Sequence, residues 1–291
     1  METKLFTESF YLTLPDGGYM PRLGQGTWRM GEDPGARDRE VEALKYGVRL
    51  GINMIDTAEM YADGEAEAVA GDAVRDFRRQ DVFLVSKVYP WNAGKSHIEK
   101  SCARTLARLG VERLDLYLLH WREDADLAEV AYCMEKLVSE GRIGRWGVSN
   151  FDTADMEDLW KVPDGPKCAV NQVLYNLGSR GIEFDLMPWQ RDHGIPFMAY
   201  CPVAQGGSLR NELLGNGGVL QLARKYGVAP MQVLLAFVLR HPDMAAIPKA
   251  VGRAHVAQNA ATKDLRLTEE DVELLSASFP APKEKMEMEK I

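Results

Sequence analysis

Long apolar runs are missing from this 291-residue sequence: none approaches the roughly 18 residues of a membrane-spanning helix. Residues 1–7 lack the apolar centre of a secretion signal. A cytoplasmic setting away from any membrane is therefore expected. Cysteine is scarce, at Cys102, Cys133, Cys168 and Cys201 alone. None forms a Cys-x-x-Cys pair and no His/Cys cluster has zinc spacing, so no metal is expected. Four reduced thiols fit an intracellular protein. Basic charge is in deficit, with 35 Lys and Arg against 43 Asp and Glu, a net −8. That argues against a general nucleic-acid binder, which needs a basic excess or stripe. A local basic pocket for a phosphorylated ligand is still allowed. No linker interrupts the chain, no repeat exceeds one βα unit and no exposed apolar stripe demands a partner. One domain over residues 1–291, working as a monomer on a small molecule, is expected.

What the sequence does contain is alternation. Short apolar, β-branched runs occupy residues 23–28, 53–57, 82–87, 114–120, 145–149, 169–174, 196–200 and 245–248. Amphipathic helical patterns follow them at 37–50, 65–77, 95–109, 127–140, 153–160, 181–191, 230–240 and 254–262. The sixth is weakened by Pro188. Repeated βα units imply parallel strands with crossover helices. Eight of them favour an α/β fold of the closed (β/α)8 TIM-barrel type. An open doubly wound sheet would carry a Gly-rich turn after its first strand, and Gly24-Gln25-Gly26 lacks the third glycine. Residues 11–20, with Pro15-Asp16-Gly17-Gly18 at their centre, read as an N-terminal β-hairpin placed to plug the barrel floor. An extra C-terminal helix over 269–278 is capped by Thr268, with Asp271 completing a near capping box. The segment from Pro280 reads as a tail or lid outside the core.

Barrel active sites lie at the C-terminal ends of the strands. There the second strand ends in Asp56 with Tyr61 beyond it, the third in Lys87 and the fourth in His120. Each alone has a plainer reading: a helix cap, a packed ring, a surface amine, a hydrogen-bonded imidazole. Together they do not, because unpaired Asp and Lys are rarely buried. Carbonyl reduction builds negative charge on oxygen as hydride reaches carbon, and a proton donor must meet it. Tyrosine, with an ordinary pKa near 10, is a poor acid at neutral pH unless a nearby ammonium lowers that value. Lys87 supplies the ammonium in this reading. Asp56 holds Lys87 and offsets the cost of burying it. His120 hydrogen-bonds the substrate oxygen, and Tyr61 is the general acid.

These residues and their flanks resemble the aldo-keto reductases. The likeness rests on Asp56-Thr-Ala-Glu-Met-Tyr61, Ser86-Lys87, Leu119-His120-Trp121, Gly147-Val-Ser-Asn-Phe151, Asn171-Gln172-Val-Leu-Tyr-Asn176 and Ile247-Pro-Lys-Ala250. The motifs run in order over nearly the whole chain, and the likeness is to the bacterial branch that includes reductases of methylglyoxal and other small aldehydes. The resemblance implies an oxidoreductase that uses NADPH, with NADH as the alternative, to reduce an aldehyde or reactive ketone. It makes Asp56, Tyr61, Lys87 and His120 a catalytic tetrad. Ser149, Asn150 and Gln172 would bond the nicotinamide carboxamide, and Tyr200 would stack on the ring. Gly26 and Thr27 join the cofactor set from the first strand's end. The segment 201–210 would cover the pyrophosphate through Pro202, Ala204, Gln205, Gly206, Ser208 and Arg210. Lys249 would meet the adenosine 2′-phosphate, and Trp28, Trp91 and Trp121 would line an aromatic substrate pocket.

The adenosine end departs from the family pattern. Ala250 stands where Ser is common, and His255 where Arg is common, with Arg253 nearby. Gln258-Asn259 replaces Glu-Asn at the adenine. A histidine is a weaker phosphate partner than arginine. Two other readings stay open here. A barrel aldolase would use Lys87 or Lys249 as a Schiff-base nucleophile. A regulatory or redox-sensing subunit would hold the cofactor with little turnover.

Overall fold

The structure is a computed structural model that describes residues 10–290. Residues 1–7, which lack the apolar centre of a secretion signal, lie outside them. An antiparallel hairpin opens the fold, with β1 (Tyr11–Thr13) and β2 (Tyr19–Pro21). In its turn Gly17 adopts φ 81°, which glycine takes at little cost, and donates to the Leu14 carbonyl at 2.9 Å. Leu12, Leu14 and Met20 pack on the inward-facing Met54, Val85, Leu116, Leu118 and Met198 of the barrel. The hairpin is thus the floor that the sequence predicts.

Eight parallel strands follow: β3 (Gly24–Gly26), β4 (Met54–Asp56), β5 (Phe83–Val88), β6 (Leu114–Leu119), β7 (Ile143–Ser149), β8 (Asn171–Leu174), β9 (Phe197–Tyr200) and β10 (Met244–Ala246). They pair in sequence order. A parallel bridge from Leu23 to Ala246, and the Gly26 N–H on the Pro248 carbonyl at 3.2 Å, bring the last strand to the first. The sheet is nearly closed, and all eight expected strands are in it.

The helices are α1 (Arg37–Arg49), α2 (Glu65–Val74), α3 (Ile98–Leu109), α4 (Leu127–Ser139), α5 (Thr153–Lys161), α6 (Leu186–Asp192), α7 (Gly207–Gly215), α8 (Gly217–Tyr226), α9 (Pro230–Leu239), α10 (Arg253–Ala261) and α11 (Glu269–Ser278). None is long and apolar enough to cross a membrane. The sixth expected helix is divided. A 3-10 turn at Gly181–Glu183 precedes α6, which takes Pro188 into its first turn. There a missing N–H costs nothing, because the first four N–H groups of a helix have no partner within it. The helices α7 and α8 have no counterpart in the sequence reading. Glycines at 206, 207, 215, 217 and 218 hide them, while the Asn216 side chain caps α8 by accepting from the N–H groups of Gly218 and Val219. The capping box of α11 is present with both Thr268 and Asp271.

The tail past Pro280 is docked and is not a free lid. Ser179 Oγ donates to Glu289 at 2.8 Å, Lys285 pairs with Asp185 at 3.1 Å, and Met288 packs on the core.

Candidate active site

The strand ends deliver the four expected side chains to one place. Asp56 ends β4, Lys87 lies near the end of β5, and His120 follows β6. Tyr61 opens a turn whose next three residues, Ala62, Asp63 and Gly64, all have positive φ (49°, 52° and 93°). The Lys87 ammonium is 0% exposed. It donates to Asp56 Oδ2 at 2.8 Å, to the Thr57 carbonyl at 2.9 Å and to Tyr61 Oη at 3.0 Å. All three ammonium protons are therefore used, which is what a buried lysine requires. Asp56 spends its other oxygen on Gln172, whose Nε2 donates to Oδ1 at 2.8 Å. Thr27 is buried and caps the Asp56 carbonyl through Oγ1 at 3.0 Å. A lysine so engaged is a poor amine nucleophile, which weighs against the Schiff-base reading.

Burial sets the protonation states. The Tyr61 phenol is held well above its ordinary value, first by burial, then by Asp56 and Cys201. The net shift is upward because desolvation outweighs the pull of the Lys87 ammonium that donates to Tyr61 Oη. Burial likewise lowers Lys87, against the opposing pull of Asp56. His120 is pushed well below its usual range by burial and then by the Lys87 charge, so its imidazole is neutral. Its Nδ1 is buried and has no hydrogen-bond partner among the described residues.

Asp56, Tyr61 and His120 form one wall of a cavity of about 560 Å³ that runs past Ser149, Asn150, Gln172 and Tyr200. Tyr200 donates to Asn150 Oδ1 at 2.8 Å, and Asn150 Nδ2 donates to the His120 carbonyl at 3.1 Å. Asn150 sits at φ 59° directly after β7, a region that Asn tolerates better than most residues. Ser149 Oγ donates to the Gln172 carbonyl at 2.9 Å. The far end is lined by Pro202, Ala204, Gln205, Gly206, Arg210 and Lys249. Gly206 and Gly207 have open space beside them, leaving their backbone accessible. At Gly26 a side chain would come within 2.8 Å of the Ile247 carbonyl, so the cavity there admits no larger residue.

Ser208 is exposed in the first turn of α7, off the cavity lining. Ala250, Arg253, His255, Gln258 and Asn259 also lie off it, on and before α10. Arg253 rests 3.9 Å from the Tyr46 ring centroid. A groove with neutral amides and an aromatic ring near Tyr61, and open glycines with the half-buried Arg210 and exposed Lys249 at its far end, fits the nicotinamide dinucleotide expected from the resemblance.

Of the three tryptophans read from the sequence as the substrate pocket, Trp28 lines the cavity, while Trp91 and Trp121 lie off its lining in an aromatic cluster that adjoins His120. Trp28 meets Tyr61 edge-on at 4.9 Å, and His120 neighbours Trp121 at 5.1 Å. Trp121 meets Trp91 at 5.6 Å, and Trp91 stacks on Tyr89 at 4.5 Å. Tyr89 escaped the sequence reading, as did Arg29 and Met60, which line the cavity beside Trp28 and Tyr61. Their signal was position alone, one or two residues from assigned ones.

The model of the aldo/keto reductase family matches residues 22–278 of this chain. Methylglyoxal reductase YeaE of Escherichia coli (strain K12) is 52% identical over 272 residues, spanning 94% of this chain and 95% of that protein. Glyoxal reductase of Bacillus subtilis (strain 168) is 31% identical over 264 residues, spanning 91% of each. Among solved structures, an aldo/keto reductase from Klebsiella pneumoniae in complex with NADP and acetate superposes with a TM-score of 0.94. It is 49% identical to this chain and covers 97% of it and 100% of its own chain.

Proposed function

This chain belongs to the aldo/keto reductase family, and from that premise we propose that it reduces small aldehydes and reactive ketones of the methylglyoxal type with NADPH, Tyr61 giving the proton. The observation that carries the proposal is the Lys87 ammonium held between Asp56 and Tyr61 beside His120. The chain is an NADP-dependent oxidoreductase, and the bound cofactor supplies hydride to the carbonyl carbon.

Tyr61 is neutral and buried, so it meets a carbonyl oxygen as a hydrogen-bond donor. As negative charge grows on that oxygen the phenolic proton moves to it. Lys87, 3.0 Å from Tyr61 Oη, then stabilises the phenolate that remains. Asp56 keeps Lys87 charged despite its burial. Neutral His120 donates a second hydrogen bond to the same oxygen and orients it. Trp28 at the cavity and the Trp91–Trp121 pair beside it would exclude water and accept a flat or small substrate.

Ser149, Asn150 and Gln172 would hold the carboxamide of the nicotinamide, with Tyr200 against its ring. Pro202, Ala204, Gln205, Gly206, Ser208 and Arg210 would hold the pyrophosphate region, with Gly26 and Thr27 joining the cofactor set from the end of β3. Lys249, Ala250, Arg253 and His255 would meet the 2′-phosphate, and Gln258 with Asn259 the adenine. We place the whole activity in one domain over residues 1–291, active as a monomer.

Loss of the reduced-nicotinamide absorbance band tests the proposal, with methylglyoxal and benzaldehyde as substrates. Oxidation is expected to be faster with NADPH than with NADH. Tyr61→Phe should lower kcat by about 10²–10⁴-fold with NADPH affinity nearly unchanged. A variant that keeps most of its activity would overturn the role of Tyr61. Negligible turnover of many carbonyls despite tight cofactor binding would favour a sensing subunit.

A further inference from the structure

Glu59 is 6% exposed, in the turn between Asp56 and Tyr61. Its backbone N–H donates to the Lys87 carbonyl at 3.2 Å. Its side chain reaches the other way. Oε1 accepts from the Tyr89 N–H at 2.9 Å and from Asn92 Nδ2 at 3.0 Å. Among the described residues no salt bridge reaches Glu59. A buried carboxylate held by neutral donors alone is a costly way to stitch two loops together. One acceptor thus fixes both ends of the short 3-10 turn Pro90–Asn92, which carries Trp91.

Trp91 needs that support. It is 57% exposed and lies flat on Tyr89, with ring planes 17° apart. Tyr89 and Trp91 both meet Trp121 edge-on, at 5.7 and 5.6 Å, and Trp121 adjoins His120. The Tyr89–Trp91 edge of this wall is thus tied to the turn that carries Tyr61 through one carboxylate oxygen.

We propose that Glu59 is a specificity-determining positioning residue, which locks the Tyr89–Trp91 wall onto the turn that carries Tyr61 and so sets the enzyme's reach for flat, aromatic aldehydes. The inference rests on the reductase reading above. Glu59 does not touch the substrate; it acts through Trp91. A small dicarbonyl contacts mainly Tyr61 and His120 and is nearly indifferent to the outer wall. An aromatic aldehyde spans from those groups to the wall and depends on it.

Steady-state kinetics of Glu59→Leu, Glu59→Gln, Trp91→Ala and Glu59→Leu/Trp91→Ala, with benzaldehyde and methylglyoxal, test the proposal. Glu59→Leu should raise KM for benzaldehyde roughly tenfold, the scale of one lost pocket contact. KM for methylglyoxal, kcat for both substrates and NADPH affinity should change by less than about twofold. Glu59→Gln keeps the Oε1 acceptor and should restore wild-type kinetics. In the Trp91→Ala background, Glu59→Leu should add nothing, because coupled residues are not additive.

An equal rise in KM for both aldehydes, or effects of Glu59 and Trp91 that simply multiply, would overturn it. If Glu59→Leu fails to fold, Asn92→Ala removes one of the two bonds and should still raise KM for benzaldehyde selectively; unchanged kinetics overturn the proposal. Wild-type protein inert towards both aldehydes would instead overturn the reductase reading. The clamp is then judged by tryptophan emission, which Glu59→Leu should shift and Glu59→Gln should not; emission unchanged in both would overturn the clamp as well.

Discussion

Gln172 Nε2 donates to Asp56 Oδ1 at 2.8 Å across 116 positions of sequence. This contact ties the candidate carboxamide-binding set to the ion pair that supports Tyr61. Both oxygens of Asp56 are satisfied because of it, one by Lys87 and one by Gln172. Gln172→Leu leaves Oδ1 buried without a partner, at a cost of about 1–3 kcal/mol. Gln172→Glu nearly preserves shape but sets a second carboxylate against Asp56, which should cost more, since like charges resist joint ionisation. Denaturant unfolding of both variants should rank wild type above Leu and Leu above Glu. If Glu equals Leu, Asp56 does not feel this position.

The Asp56–Lys87 pair should show the asymmetry of buried ion pairs. Lys87→Met strands Asp56 and should destabilise the fold by roughly 3–5 kcal/mol. Adding Asp56→Asn removes the stranded charge and should recover most of that loss. Turnover should be absent from both. A double variant no more stable than Lys87→Met would show that the pair's charge is not what the fold feels.

Much of this site was legible because apolar strands end on charges. Asp56, Lys87 and His120 stand where a buried run meets polar chemistry, and the barrel rule turns three strand ends into one location. The direction of the Tyr61 shift was not legible. It depends on how much water reaches the phenol, and residue spacing carries no information on that. The helices α7 and α8 were hidden because glycine lowers helix propensity, while the Asn216 cap that fixes α8 is a single residue. The docking of the tail on Ser179 and Asp185 joins residues about a hundred positions apart, beyond any local pattern. Glu59 lay inside a quoted motif, but its partners Tyr89 and Asn92 are brought to it by β5.

Acid sensitivity should come from the half-buried His241 and the buried His120. His241 is pushed down from 6.5 to about 4, by burial first and then by the Arg240 and Arg191 charges. Its Nε2 lies 3.2 Å from Tyr175 Oη and its Nδ1 3.2 Å from an Arg191 nitrogen. Between pH 6.5 and 4 the unfolded chain binds a proton here that the folded chain refuses. Stability is thus fully present above that window and falls as pH drops through it, by at most about 1.4 kcal/mol per pH unit for this one group. His120 shifts the same way and adds to the slope. Unfolding free energies of His241→Gln and wild type across this range should diverge, with the flatter line for the variant. Parallel lines would remove His241 from the account.

Discrimination between the two nicotinamide cofactors should rest on Lys249 more than on its neighbours. Lys249 is exposed on the cavity rim, and among the described residues it makes no ion pair, so its charge is available to a phosphate. Arg253 on α10 is the other cation assigned to the 2′-phosphate, but its guanidinium is laid over Tyr46, a contact it would have to give up. Lys249→Met should therefore weaken NADPH about tenfold or more, the scale of one hydrogen bond to a charged group, and leave NADH almost unchanged. Arg253→Met should do much less. Added salt should weaken NADPH binding to the wild type more than to Lys249→Met, since an exposed ion pair is screened. Dissociation constants from quenching of tryptophan emission would decide it. Equal loss for both cofactors would show that Lys249 supports the groove rather than reading the 2′-phosphate, and a larger loss in Arg253→Met would move that role onto α10.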